Sequence, residues 1–306
     1  MEEKKEVENI KLIALDLDGT TLTRSGLTRR TKETLEEAIN RGIDVVIATG
    51  RTFTALPKKI HEIKGLEYII TSNGAHITSV KTGNFIYSNY VSPEAIPQIV
   101  EVLRNTQFPT EVFTNGKAYI DRKVYDDLAQ NGSTYMSARY VLRTRTPVDG
   151  IYDFLLQNQN SIENINIHFE FMNDRAKLWH TLEKIKGITV TSSFPHNVEI
   201  GGETTSKATA LLEICKMKNI DLSHIMAFGD SPNDKAMLME AGFGVAMANA
   251  TDDVKCVADY ITISNDEEGV AFTIRKLLFK EKDGVAGKRE LFFERWIKKA
   301  RNRAKK

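Results

Sequence analysis

The chain has 306 residues, 41% hydrophobic and 27% charged, which is enough apolar material for a sizeable core and enough length for two domains. Lysine and arginine number 42 against 41 aspartates and glutamates, and the resulting net charge of +1 argues against a protein that coats nucleic acid or a membrane surface. No stretch approaches the roughly 20 apolar residues of a membrane span, and Met1-Glu-Glu-Lys-Lys-Glu6 lacks a signal peptide's apolar core, so a cytoplasmic location is expected.

The first element is Lys11-Leu-Ile-Ala-Leu-Asp16-Leu-Asp18-Gly19-Thr20. Leu12 to Leu15 read as a strand buried on both faces, which places Asp16 at its carboxyl end beside a second carboxylate, Asp18. Such a pair calls for a cation, and oxygen ligands without nearby cysteine or histidine favour Mg²⁺. A strand followed by an ordinary Asp-Gly turn fits this stretch equally well. Thr28 and Thr31 can cap a helix through Leu35, Ala38 and Ile39 that stops at Arg41-Gly42. A second strand then ends in Thr49-Gly50-Arg51, and a third, from Leu66, ends in Ser72-Asn73-Gly74. Strands alternating with helices predict an α/β fold with a Rossmann-like, doubly wound parallel sheet.

From Phe85 the apolar runs alternate, as half-exposed antiparallel strands do. Asn115-Gly116 marks a hairpin, Ser92-Pro93 a helix start, and Ile165 to Phe171 another alternating strand. A helix is predicted near Arg175 to Ile185, with a strand from Ile188. These features predict an inserted α+β domain over 85–197, flanked by core segments at 1–84 and 198–281. The α/β texture resumes with a helix opened by Thr205-Ser206-Lys207. A strand ending in Gly229-Asp230-Ser-Pro-Asn233-Asp234 follows, then strands around Phe243 to Met247 and Tyr260 to Ser264, separated by a helix that Thr251 can cap. Residues 282–306 form a basic, amphipathic extension, read mainly as a docked helix with a solvated end. Cys215 and Cys256 lie far apart without CxxC spacing, so buried thiols are expected rather than a disulfide or zinc site. The six histidines show no ligand spacing; His168, on an alternating strand, is the one that could face a ligand.

Thr49 alone could be a plain turn, Lys207 a solvated helix residue, and Asp230 to Asp234 a polar loop. In a parallel sheet, however, these strand ends share one edge with Asp16 and Asp18, and in this order they are specific. The sequence resembles the haloacid dehalogenase superfamily, and within it the Cof-type sugar-phosphatase-like hydrolases. The resemblance covers residues 10 to 280, through Asp16-Leu-Asp18-Gly-Thr, Thr49-Gly50-Arg51, Lys207 and Gly229-Asp230-Ser-Pro-Asn233-Asp234. It implies that Asp16 is the nucleophile of an aspartyl-phosphate pathway and Asp18 the general acid and base. It further implies Mg²⁺ bound by Asp16, Asp18 (through its carbonyl), Asp230 and Asp234. Thr49, Lys207 and Asn233 would then bind phosphate, Gly50 and Asn73 the substrate, and the insertion would be a cap.

The implied activity is hydrolysis of a small phosphorylated metabolite, a sugar phosphate being favoured, with no nucleic-acid partner expected. A phosphotransferase or mutase, and an idle binding protein using cap and tail, are the alternatives. The oligomeric state stays open. Arg51 reads equally as a substrate contact or a helix-start charge. Thr21 stands where many members of the branch carry leucine, a change expected to affect packing more than chemistry. Gly201 to Lys207 lacks the glycine before and the hydroxyl after the lysine that a nucleotide-binding P-loop needs.

Overall fold

The computed structural model describes residues 9–106 and 108–281, so the predicted basic tail lies outside the described residues. The chain first lays down β1 (Leu12–Leu15), β2 (Asp44–Ala48), β3 (Tyr68–Thr71), β4 (His76–Ser79) and β5 (Phe85–Ser88). Next come β6 (Thr110–Thr114), β7 (Lys117–Asp121), β8 (Arg145–Val148), β9 (Ile162–His168), β10 (Ile188–Thr191) and β11 (Asn197–Gly202). β12 (Ile225–Gly229), β13 (Phe243–Ala246) and β14 (Tyr260–Ile261) complete the set. Among the described residues, no helix is long and apolar enough to cross a membrane.

Two sheets result. The first has the order β14-β13-β12-β1-β2-β3-β4-β5, parallel from β14 to β3. β1 lies at its centre because Leu12, Ile13, Ala14 and Leu15 have no exposed surface, and each fully buried leucine or isoleucine contributes about 1.5–3 kcal/mol. The second sheet, β10-β11-β9-β6-β7-β8, is antiparallel except where β7 meets β8. It carries its own apolar core, including Val112, Ile165, Ile167 and Val198. The fold is therefore a Rossmann-like parallel core with an inserted α+β cap.

The predicted Asn115-Gly116 hairpin joins β6 to β7, both residues having the positive φ (51° and 70°) that a tight hairpin turn requires. Thr28 caps the helix Arg29–Asn40 by accepting from the Thr31 backbone N–H at 3.1 Å. Other details differ. Ser72, Asn73 and Gly74 do not merely end β3: with φ of 49°, 58° and 104° they reverse the chain into β4, an antiparallel strand that sequence texture did not separate from its neighbours. The run at 85 is the edge strand β5, paired to β4 and exposed along most of its length; its apolar residues mark a strand of the first sheet's edge and not the start of a separate unit. The chain changes sheets between Ser88 and Val91, whose N–H bonds the Ile162 carbonyl, and it returns only after Gly202, since β11 belongs to the second sheet. The helix expected near 175–185 spans Met172–Leu182, and Cys256 is exposed, whereas Cys215 is buried as expected.

The two sheets meet through Glu163 of β9, which is fully buried. Its carboxylate accepts from the Ser72 hydroxyl and the Gly116 N–H, both at 2.6 Å. The same reversal seats the helix Lys207–Lys218, because Gly74 packs against its first residues: a Cβ there would lie 2.1 Å from the Ser206 carbonyl oxygen. Gly74→Ala is expected to cost about 1–3 kcal/mol from positive φ alone, with the collision adding to it. Urea unfolding checks this, and an unchanged midpoint would contradict it.

Candidate active site

The carboxyl ends of β1, β2 and β12 bring Asp16, Thr49 and Asp230 to one edge, and the helix Lys207–Lys218 approaches that edge with its amino terminus. Ser206 caps the helix by accepting from the Thr209 N–H at 3.0 Å, which turns Lys207 inward instead of to solvent. The Lys207 ammonium, 1% exposed, donates to Asp16 Oδ1 at 2.6 Å and to Asp234 Oδ1 at 2.7 Å. Burial works against the ammonium, but the two carboxylates outweigh it and hold Lys207 above its ordinary range. Asp234 is oriented in turn, its Oδ2 accepting from the Asp230 and Ser231 backbone N–H groups at 2.9 and 3.0 Å.

Asp230 completes the cluster. Carboxylate oxygens of Asp16, Asp230 and Asp234 lie within 4.8 Å of one another. Gly19, at φ 81°, lets the loop after Asp16 close on Asp230, since a Cβ there would fall 2.4 Å from Asp230 Oδ2. Thr20 donates to Asp230 at 2.8 Å. Three buried carboxylates thus share one ammonium, leaving the cluster short of positive charge. Burial, then the neighbouring Asp234, push the Asp16 carboxyl well above its usual range; the same causes take Asp230 up to about 6. An all-oxygen donor set with excess negative charge fits a hard divalent cation.

Asp18 is placed differently. Its carboxylate points away from the cluster to Arg51, which donates Nε to Oδ2 at 2.7 Å and Nη2 to Oδ1 at 2.6 Å. A cavity of about 630 Å³ opens above this edge. Asp16, Asp18, Thr49, Gly50, Arg51 and Asn233 line its floor. Lys207, Asp230 and Asp234 are not in the cavity wall and act from behind Asp16. Asn73, expected to contact substrate, is also outside the wall: 4% exposed, it accepts from Asn233 Nδ2 at 3.0 Å and so fixes a wall residue. The Thr21 hydroxyl donates to the Asp16 carbonyl at 2.5 Å, an anchor for the Asp16 backbone that leucine could not supply.

The opposite wall is the second sheet. Register places Glu111 of β6 opposite Asn166 of β9, and Asn166 opposite Glu199 of β11, a polar row across three strands. Glu111 takes both arms of Arg145 at 2.9 Å and an Asn166 N–H at 3.0 Å. Burial opposes its charge, yet Arg145 and then His168 hold its carboxyl far below the ordinary range. His168 does line the cavity, its Nε2 3.1 Å from Asn166 Nδ2. Sequence reasoning missed Glu111, Tyr140, Arg145 and Asn166. The alternation Asn164-Ile-Asn166-Ile-His168 was the available signal, because period two puts the polar members on one face.

A family model described as haloacid dehalogenase-like hydrolase matches residues 13–274. The chain is 33% identical over 287 residues to phosphatase YwpJ of Bacillus subtilis, covering 88% of this chain and all of the relative. It is also 33% identical over 278 residues to the B. subtilis 5-amino-6-(5-phospho-D-ribitylamino)uracil phosphatase YcsE, covering 90% of this chain and 98% of that one. Among solved structures, a haloacid dehalogenase-like hydrolase from B. subtilis superposes with a TM-score of 0.75 at 30% identity, over 88% of this chain and 100% of that chain.

The carboxylate cluster has a measurable consequence. With Asp230 near 6 when folded and 3.8 as its ordinary value, the cation-free folded state retains a proton that the unfolded chain releases. The stability from that proton is fully present below pH 3.8 and is lost as pH rises through about 6. A bound divalent cation takes the proton's place, so Mg²⁺ should raise the melting temperature more at pH 7.5 than at pH 5. Equal shifts at both pH values would contradict this.

Proposed function

The chain belongs to the haloacid dehalogenase-like hydrolases and is a phosphoric monoester hydrolase, and from that premise we propose that it cleaves a small cytoplasmic phosphate monoester, a sugar phosphate first among candidates, through a phosphorylated Asp16. The observation that carries this reading is that Asp16 both lines the cavity and is held by buried Lys207. Lys207 fixes Asp16 Oδ1, which leaves Oδ2 to attack phosphorus as the ester P–O bond breaks. In this reading Thr49 and Asn233, two residues of the cavity floor, donate to phosphoryl oxygens through the hydroxyl and the second amide N–H. Asp18 gives a proton to the departing alcohol, then accepts one from the water that attacks phosphorus and releases Asp16. Asp16, Asp230 and Asp234, with the Asp18 carbonyl, would hold Mg²⁺, which would supply charge neutralisation for an anionic carboxylate approaching an anionic phosphate.

The unit between Asn89 and Gly202 acts in this reading as the cap that selects the leaving group. A sugar or polyol ester is supported by the relatives named as phosphatases of a 5-phospho-D-ribitylamino compound, which carries its phosphate on a hydroxylated chain. The polar row Glu111-Asn166-Glu199 suits such a chain. Asp16→Asn should lower kcat on p-nitrophenyl phosphate by about 10³-fold or more while the melting curve stays cooperative. Chelation should abolish wild-type turnover and Mg²⁺ restore it. Residual activity within tenfold, or indifference to chelation, would overturn the reading.

A further inference from the structure

The Asp18 carboxylate, with 37% of its side chain exposed, has no side-chain partner other than Arg51 among the described residues. Its orientation therefore depends on where that guanidinium is held. Arg51 uses its whole fork: Nε and Nη2 go to Asp18, while Nη1 donates to the Ala55 carbonyl at 3.1 Å. One face of the guanidinium is covered from the inserted unit by Tyr140, in the helix Ala138–Thr144, with the guanidinium carbon 4.7 Å from the ring centre. Tyr140 is itself fixed, because the Arg145 guanidinium lies 4.7 Å from the same ring and is clamped by fully buried Glu111. A continuous line of contacts thus runs from the second sheet across the cavity wall to the carboxylate expected to move the proton. All of its members line the cavity.

We propose that Tyr140 is a positioning residue: its ring holds Arg51 against Asp18 and so sets the direction from which the Asp18 carboxyl meets the leaving-group oxygen. The proposal rests on the phosphatase reading above. It makes proton delivery dependent on a seated cap, since the ring comes from the cap and the fork from the core. An aliphatic alkoxide cannot leave without that proton, whereas p-nitrophenolate can. Misalignment of Asp18 therefore slows leaving-group release from sugar esters and largely spares it from aryl esters, whereas the later release of phosphate from Asp16 is shared by both, so the contrast is read in the single-turnover rate of leaving-group release.

The experiment compares wild type, Tyr140→Leu and Tyr140→Phe on p-nitrophenyl phosphate and on the sugar or polyol phosphate that the wild type turns over fastest. In Tyr140→Leu the ratio of the saturating single-turnover rate of alcohol release from the aliphatic ester to that of phenolate release from the aryl ester should fall about tenfold or more, a part of the roughly 10²–10⁴-fold that general acid catalysis supplies. Tyr140→Phe, which keeps the ring, should restore the ratio. An unchanged ratio, whether both activities drop together or neither drops, would overturn the proposal, as would an effect confined to KM. If Tyr140→Leu does not fold, Arg51→Lys serves instead: it keeps the charge but loses the two-pronged fork, and the same fall in ratio is expected, an unchanged ratio being contrary. Failure of the wild type to turn over any aliphatic ester would instead strike the phosphatase reading itself.

Discussion

The structure depends on one ammonium. Lys207, buried at the start of its helix, bridges Asp16 from the first strand and Asp234 from beyond the insertion. Burying a charge is tolerated only with paired partners, so this contact requires β1, β12 and the helix to be assembled together. The insertion between β5 and the Lys207 helix must accordingly leave and return without disturbing the edge. The chain achieves this by bonding Glu163 to Ser72 and Gly116, and by packing Gly74 against Ser206. Catalytic edge and cap attachment are thus one construction.

The cluster around Lys207 is unbalanced by design of its contacts: three carboxylates face one cation, and Asp18 is drawn off to Arg51. Two adjacent acids at the end of one strand therefore have separate surroundings. Asp16 is enclosed among charges of both signs, whereas Asp18 stands at the cavity with its orientation set from the other sheet. Such separation is what the proposed roles require, one carboxylate to attack and the other to handle protons.

Much of this was legible in the sequence. A strand buried on both faces must be a continuous apolar run, so Leu12 to Leu15 announced both β1 and the position of Asp16. Asn115-Gly116 specified its hairpin because few other residues accept two successive positive φ values. What escaped was whatever register or long-range pairing decides. Arg51 was evenly balanced between two roles, since its partner Asp18 lies 33 positions away. Alternation in β6, β9 and β11 was visible strand by strand, but the row Glu111-Asn166-Glu199 exists only once the strands are aligned. Asn73 was placed at a strand end, where a contact to ligand is natural, although its left-handed backbone turns it toward Asn233.

The most direct measurement is chemical trapping at position 16. Full-length protein turning over a phosphate ester with Mg²⁺ is quenched into borohydride, which reduces an acyl phosphate but not a free carboxylate, and the peptide containing residue 16 is analysed by mass spectrometry. Homoserine at position 16, present with substrate and absent without it, is the predicted result. Turnover with no reduction at that position, or with reduction at another carboxylate, would contradict the account.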